Sequence, residues 1–145
     1  MTRLDHVLTY RLHLLNKLTD RASHDLYLRE TGLPIGEARC LASIGAFEPL
    51  SVNDLALHAC LNKGQASRAA QALVERGLVS KTTRETDARG VVLTLTPDGR
   101  RRWAEIMALI DQRNVDIFGC LSDDERAQLG RLFDRLIAHA RGLSV

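Results

Sequence analysis

The stretch Ser51-Val52-Asn53-Asp54-Leu55-Ala56-Leu57-His58-Ala59-Cys60-Leu61-Asn62-Lys63-Gly64-Gln65-Ala66-Ser67-Arg68-Ala69-Ala70-Gln71-Ala72-Leu73-Val74-Glu75-Arg76-Gly77 holds two helix-start signals and one stop. Ser51 followed by Asp54 is a variant of the capping box, in which a short side chain accepts from a backbone N–H of the first turn. Asn62 followed by Gln65 is a second such signal. Between them Val52, Leu55, Ala56 and Ala59 recur at helical steps, and after Asn62 so do Ala66, Ala69, Ala70 and Leu73. Gly77 supplies the residue type that ends a helix in the left-handed conformation. Only Cys60-Leu61-Asn62 separates the two short helices, and alanine stands where they would cross. The pair reads as a helix-turn-helix.

The period then changes. Leu78, Val79 and Lys81 to Arg84, a polar tip Glu85-Thr86-Asp87-Ala88-Arg89-Gly90, and Val91-Val92-Leu93-Thr94-Leu95 read as a β-hairpin, the one credible sheet in the chain. Thr96-Pro97-Asp98 then gives an N-cap, a proline at the first helical position and an acid in the first turn. A long helix over about Pro97 to Phe118 follows, and Ser122 with Glu125 caps a last one carrying Leu129, Leu132, Phe133, Leu136, Ile137 and Ala140.

Upstream, Leu4, Leu8, Leu12, Leu15, Leu18 and Ala22 predict one long helix from about Leu4 to Leu28. Val7 and Leu14 widen its apolar stripe beyond what a surface helix needs, which implies a second apolar partner such as another subunit. Gly32 and Leu33-Pro34 stop it, and a helix from Ile35 to Phe47 ends at Glu48-Pro49. The expected architecture is mainly α with a small β-hairpin wing, a winged helix-turn-helix flanked by long terminal helices.

Bulk composition agrees. A chain of 145 residues suits one domain, and 4% aromatics with 45% hydrophobic residues favours a helical core of Leu, Ile, Val and Ala. No apolar run is long enough to cross a bilayer, and the first ten residues lack the pattern of a secretory signal. Three widely spaced cysteines, Cys40, Cys60 and Cys120, argue against a disulfide framework and for a cytoplasmic location. Net charge is only +2, but residues 62–102 hold nine basic and four acidic side chains, giving +5 there and −3 elsewhere. A positive middle on a near-neutral scaffold suits a phosphate-facing module.

The second helix of a helix-turn-helix enters the major groove, led by residues near its N-terminus. Here those are Lys63, Gly64, Gln65, Ser67 and Arg68. Gln pairs with adenine edges, Arg with guanine, Ser and Lys with phosphate, and Gly admits a close backbone. Arg89 on the hairpin tip is placed to enter the minor groove, with Asp87 to hold the tip or the guanidinium. Arg84 and Lys81 sit farther down the ribbon, within reach of the DNA backbone.

Leu73-Val74-Glu75-Arg76-Gly77-Leu78-Val79, Asp87-Ala88-Arg89-Gly90 and Leu95-Thr96-Pro97-Asp98-Gly99-Arg100 together resemble the signature of MarR-family regulators, and the element order agrees over nearly the whole chain. The resemblance implies a homodimeric repressor on a palindromic operator. Residues 1–32 and 97–145 would be dimerisation helices and residues 33–96 the DNA-binding lobe. It also implies release by a small, often aromatic and acidic ligand. His6, Tyr10, Arg11, His13, Arg39 and Met107 are the residues expected to line a pocket between these parts, because Arg or His beside an apolar wall suits an aromatic carboxylate.

Two other triggers and two other classes are conceivable for such a chain. A redox-responsive repressor would use Cys40, Cys60 or Cys120, but none lies near the start of the first helix, where some relatives carry one. No metal is expected: His6 and His13 share a helical face, yet there is no Cys-x-x-Cys or His-Glu-x-x-His. No cofactor is expected, and no enzyme either, since nucleophile-elbow, phosphate-loop and Rossmann glycine patterns are missing. A winged-helix module that contacts only proteins is the remaining rival.

Overall fold

The computed structural model describes residues 2–83 and 90–143. The order of elements is a single 3-10 turn (Leu4–His6), α1 (Leu8–Thr31), α2 (Ile35–Phe47), α3 (Val52–His58), α4 (Lys63–Glu75), β1 (Val79–Thr83), β2 (Val91–Leu95), α5 (Pro97–Phe118) and α6 (Asp123–Leu143). This is a winged helix-turn-helix with long helices at both ends. The chain divides into two compact units, Met1–Ile110 and Asp111–Val145.

Local chemistry accounts for most of the boundaries. Ser51 Oγ accepts from the Asp54 N–H at 3.1 Å and starts α3. At α4 the capping box is complete: Asn62 Oδ1 accepts from the Gln65 N–H at 2.8 Å, and Gln65 Oε1 accepts from the Asn62 N–H at 3.1 Å. Together these satisfy donors that a helix N-terminus otherwise leaves to water. Gly77 has φ +75°, which favours glycine. Thr96 Oγ1 accepts from the Gly99 N–H at 2.9 Å and donates to the Gly77 carbonyl at 2.6 Å. The start of α5 is thereby tied to the end of the helix-turn-helix.

The core of the first unit is built where these elements converge. Leu33, Leu41, Ile44, Leu55, Ala66, Ala70, Leu73, Leu93 and Ile106 are fully buried. Alanine at 66 and 70 lets α4 approach its neighbours closely, as the sequence implies. Trp103 on α5 donates its indole N–H to the Ala42 carbonyl at 3.2 Å and covers Gly45.

Two features differ from the sequence-based expectation. The first helix is broken at its start: Val7 is extended (φ −74°, ψ 133°), so Leu4–His6 form a separate turn and α1 begins at Leu8. The Leu4 and Leu8 pattern is blind to this break, because one extended residue leaves the apolar spacing nearly intact. The sheet also has a third participant. β1 and β2 pair antiparallel from Val79↔Leu95 to Thr83↔Val91, and Leu50 forms an isolated antiparallel bridge with Leu93. Glu48 reinforces that side, since its Oε2 accepts from the Leu95 N–H at 2.8 Å and its Oε1 accepts from Arg100 Nη2 at 2.5 Å.

In the second unit Ser122 and Glu125 form the expected box. Ser122 Oγ accepts from the Glu125 N–H at 3.2 Å, and Glu125 Oε1 accepts from the Ser122 N–H at 2.9 Å. These bonds with Ser122 hold the Glu125 carboxyl below its ordinary range. Helix α6 contains no buried residue.

Among the described residues, no helix is long and apolar enough to cross a membrane.

Candidate nucleic-acid interface and ligand cavity

The first turns of α4 place Lys63, Gly64, Gln65, Ser67 and Arg68 on the exposed side of a helix whose opposite face, Ala66, Ala70 and Leu73, is locked in the core. The periodicity that buries one face therefore presents the other to solvent. A Cβ on Gly64 would lie 3.3 Å from Arg68 Nη1. The guanidinium thus folds over the glycine, at a helix N-terminus whose partial positive charge favours phosphate.

Gln65 has a more constrained position than its composition suggests. Its Oε1 is held by the Asn62 backbone N–H, which leaves the Nε2 donor to reach outward. Bidentate pairing with adenine needs both atoms, so the Oε1 that caps α4 must either accept a second hydrogen bond or give up the cap to read a base in that way. Lys81 on β1 donates from Nζ to Gln71 Oε1 at 2.8 Å, which draws its ammonium toward α4. Arg84, Asp87 and Arg89 fall within 84–89, outside the described residues.

Behind the helix-turn-helix the first unit holds a cavity of about 440 Å³. That lies within the range of about 300–1,000 Å³ typical of small-molecule sites. Buried Tyr27, Ala38 and Ile106 line its inner wall with half-buried Ala42, Ala59 and Ile110. Exposed Arg39, His58 and Cys60, with half-buried Ser43, supply its polar groups. His58 stacks on Phe47, with ring centroids 3.9 Å apart and planes 12° from parallel. Cys60 has φ +58°, so the turn that leads into the Asn62 cap is the same segment that lines the cavity.

Of the residues singled out for a pocket, Arg39 lies here. His6, Tyr10, Arg11 and His13 are exposed on the N-terminal turn and α1, Met107 is half-buried on α5, and none of these lines this cavity. Sequence reasoning missed Tyr27, Ser43, His58, Cys60, Ile106 and Ile110. Each reads as an ordinary core or cap residue on its own element; the demand for a left-handed residue in the turn at Cys60 is the one local signal. Among the described residues, no group of three or more His, Cys, Asp or Glu is gathered as a metal site.

The comparisons with known proteins bear on this geometry. The MarR family model matches residues 31–90, from the last residue of α1 to the residue before β2. HTH-type transcriptional regulator BilQ of Clostridium symbiosum is 26% identical over 109 residues, covering 75% of this chain and 76% of that protein. A MarR family transcriptional regulator from Silicibacter pomeroyi superposes with a TM-score of 0.80 at 25% identity, covering 92% of this chain and 89% of the other. Residues 31–90 thus match the MarR family, and the chain shares its winged-helix fold with solved MarR-family transcriptional regulators. Another solved structure is similar in fold to this chain: Bordetella bronchiseptica BpsR, whose DNA binding is regulated by 6-hydroxynicotinic acid. It has a TM-score of 0.83 at 20% identity and covers 94% of this chain and 96% of the other.

The three thiols of this chain are chemically unequal. Burial pushes the Cys40 thiol up to about 11, with the Glu37 carboxylate adding to the shift, while Cys60 and Cys120 are exposed. At pH 8 only about one Cys40 in a thousand is the reactive thiolate, and burial restricts its access further. Native protein treated with a thiol reagent is expected to be labelled at Cys60 and Cys120, with Cys40 reacting only after unfolding, as read by peptide mass spectrometry. Labelling of Cys40 in the native state at the rate of the others would contradict the packing of α2.

Proposed function

We propose that this regulator is a cytoplasmic repressor that binds a palindromic operator as a homodimer and is released when a small aromatic acid enters the cavity. The observation that carries the DNA reading is the exposed cluster Lys63, Gly64, Gln65, Ser67 and Arg68 on the leading turns of a helix fixed by its buried face. In this reading residues 33–96 are the DNA-binding lobe and residues 1–32 and 97–145 carry the dimer contacts. Arg89, Arg84 and Asp87 act at the hairpin tip, with Arg89 in the minor groove and Lys81 near the backbone.

The dimer is supported by apolar surface that a single chain leaves in water. Leu8, Leu12, Leu15 and Leu18 on α1 and Leu132, Leu136 and Ile137 on α6 are exposed. A long helix gains most of its stability from packing an apolar face, and α6 buries none of its residues within one chain. An isologous two-fold dimer would set two recognition helices about 34 Å apart, one DNA turn.

The ligand reading is supported by the cavity's chemistry: an apolar inner wall of aromatic size with a guanidinium and an imidazole at its polar side. The regulation of BpsR by a hydroxylated aromatic acid supports the same class. Cys60 lies two residues before the α4 cap, so an occupant of the cavity touches the segment that orients the recognition helix.

Binding to a fluorescent fragment from upstream of the regulator's own coding sequence tests the DNA reading. Wild type is expected to bind specifically, with affinity falling steeply as salt rises. Lys63→Ala should reduce the salt slope by about 1, the signature of a lost phosphate contact. Arg68→Ala should weaken binding by about 1–3 kcal/mol where it reads a base. Absence of specific binding would favour a module for protein contacts alone.

A further inference from the structure

Among the described residues that line the cavity, Arg39 alone carries a permanent charge, and it is already engaged. Arg39 Nη2 on α2 donates to Asp20 Oδ1 on α1 at 2.7 Å, with side chains 51% and 49% exposed. Asp20 itself does not line the cavity, whereas Arg39 does. A guanidinium offers five N–H donors in a planar fork, and a carboxylate is held best when it takes two of them side by side. Asp20 meets that fork through a single Nη2–Oδ1 contact.

Resting on the ligand reading above, we propose that Asp20 is an internal competitor for the ligand's carboxylate. An aromatic acid seated on the Tyr27, Ala38 and Ile106 wall takes Arg39 from Asp20 in a two-point contact, and the ion pair linking α1 to α2 opens. The exchange is between two carboxylates, so the cation stays neutralised in both states and no proton need move. Its energetic scale is small because the pair is half-exposed, where ion pairs contribute little. A ligand of ordinary affinity can therefore displace Asp20. Neutral aromatic molecules fit the same wall but leave the pair closed, so the acid group separates effectors from mere occupants.

The experiment is a calorimetric titration of wild type, Asp20→Asn, Arg39→Gln and the double variant with 6-hydroxynicotinate and with its neutral amide. Asp20→Asn is expected to bind the acid about two- to fivefold more tightly than wild type, the value of a released surface pair, and to bind the amide unchanged. Arg39→Gln should weaken the acid by about tenfold or more, as for a lost charged hydrogen bond. In the Arg39→Gln background, Asp20→Asn should give no gain. That last comparison separates competition for Arg39 from a general change of charge near the cavity.

If Arg39→Gln weakens binding but Asp20→Asn leaves it unchanged or weaker, the ligand site stands and the competition is overturned. A gain that survives in the double variant overturns it as well. If neither wild type nor Asp20→Asn binds the acid, the ligand reading falls and the exchange falls with it.

Discussion

Replacing both Leu136 and Ile137 of α6 by lysine is expected to convert the proposed dimer to a monomer and to lower operator affinity at least about 100-fold, since joined modules gain about 10²–10⁴ in avidity. The two side chains are 61% and 47% exposed in the single chain. Substitutions at such positions usually change a chain's own stability by no more than about 0.5 kcal/mol. In a dimer they would place four charges in an apolar contact, where unpaired charge is costly. Sedimentation of the variant, with its helical content followed by circular dichroism, distinguishes dissociation from collapse of the fold. A variant that remains dimeric, or that binds operator like wild type, would show that α6 is not the contact face.

The largest stability effect is expected at Gly99, where helix propensity and packing oppose each other. Alanine is favoured over glycine inside a helix by about 1 kcal/mol. A Cβ at Gly99, however, would lie 1.8 Å from the Leu78 carbonyl oxygen and 2.8 Å from its carbon. Those are backbone atoms with little room to yield. The Leu78 N–H donates to the Leu73 carbonyl at 3.0 Å, the Leu78 carbonyl accepts from the Thr96 N–H at 3.1 Å, and Gly77 is tied to Thr96. Sterics therefore win, and Gly99→Ala should destabilise by about 3 kcal/mol, the upper end for overpacking. For a chain of this size that is a fall of about 6–12 °C in Tm.

Gly36 is the matched control, because nothing lies within 4 Å of its Cβ position near the start of α2. Gly36→Ala is expected to stabilise by about 0.5–1 kcal/mol. Thermal melts of the two variants side by side check both signs. A Gly99→Ala protein as stable as wild type would mean that α5 does not start against the Leu78 turn.

Features carried by neighbouring residues were legible in the sequence. The caps at Ser51, Asn62, Thr96 and Ser122 each need a donor and an acceptor within three residues, and all four are present as read. The buried face of α4 follows from alanine and leucine at helical spacing for the same reason. What the sequence hid is what depends on residues distant along the chain. The Leu50–Leu93 bridge rests on one pair without a period of its own.

The cavity draws on four helices and a turn, and Tyr27 or Ile106 cannot be told from core until the elements meet. Gln65 illustrates an ambiguity of another kind. Its side chain satisfies both a capping pattern and a base-reading pattern, and the structure shows the first occupied in the free protein.

Paired recognition helices on one duplex require two copies of this chain at each site. The most direct measurement is the mass of the complex with a palindromic fragment protected by the protein, determined by sedimentation or native mass spectrometry at low salt. Two chains per site are expected, in register with half-sites about one turn apart. A single chain per site, or a stable monomer that ignores the duplex at low salt, would contradict it.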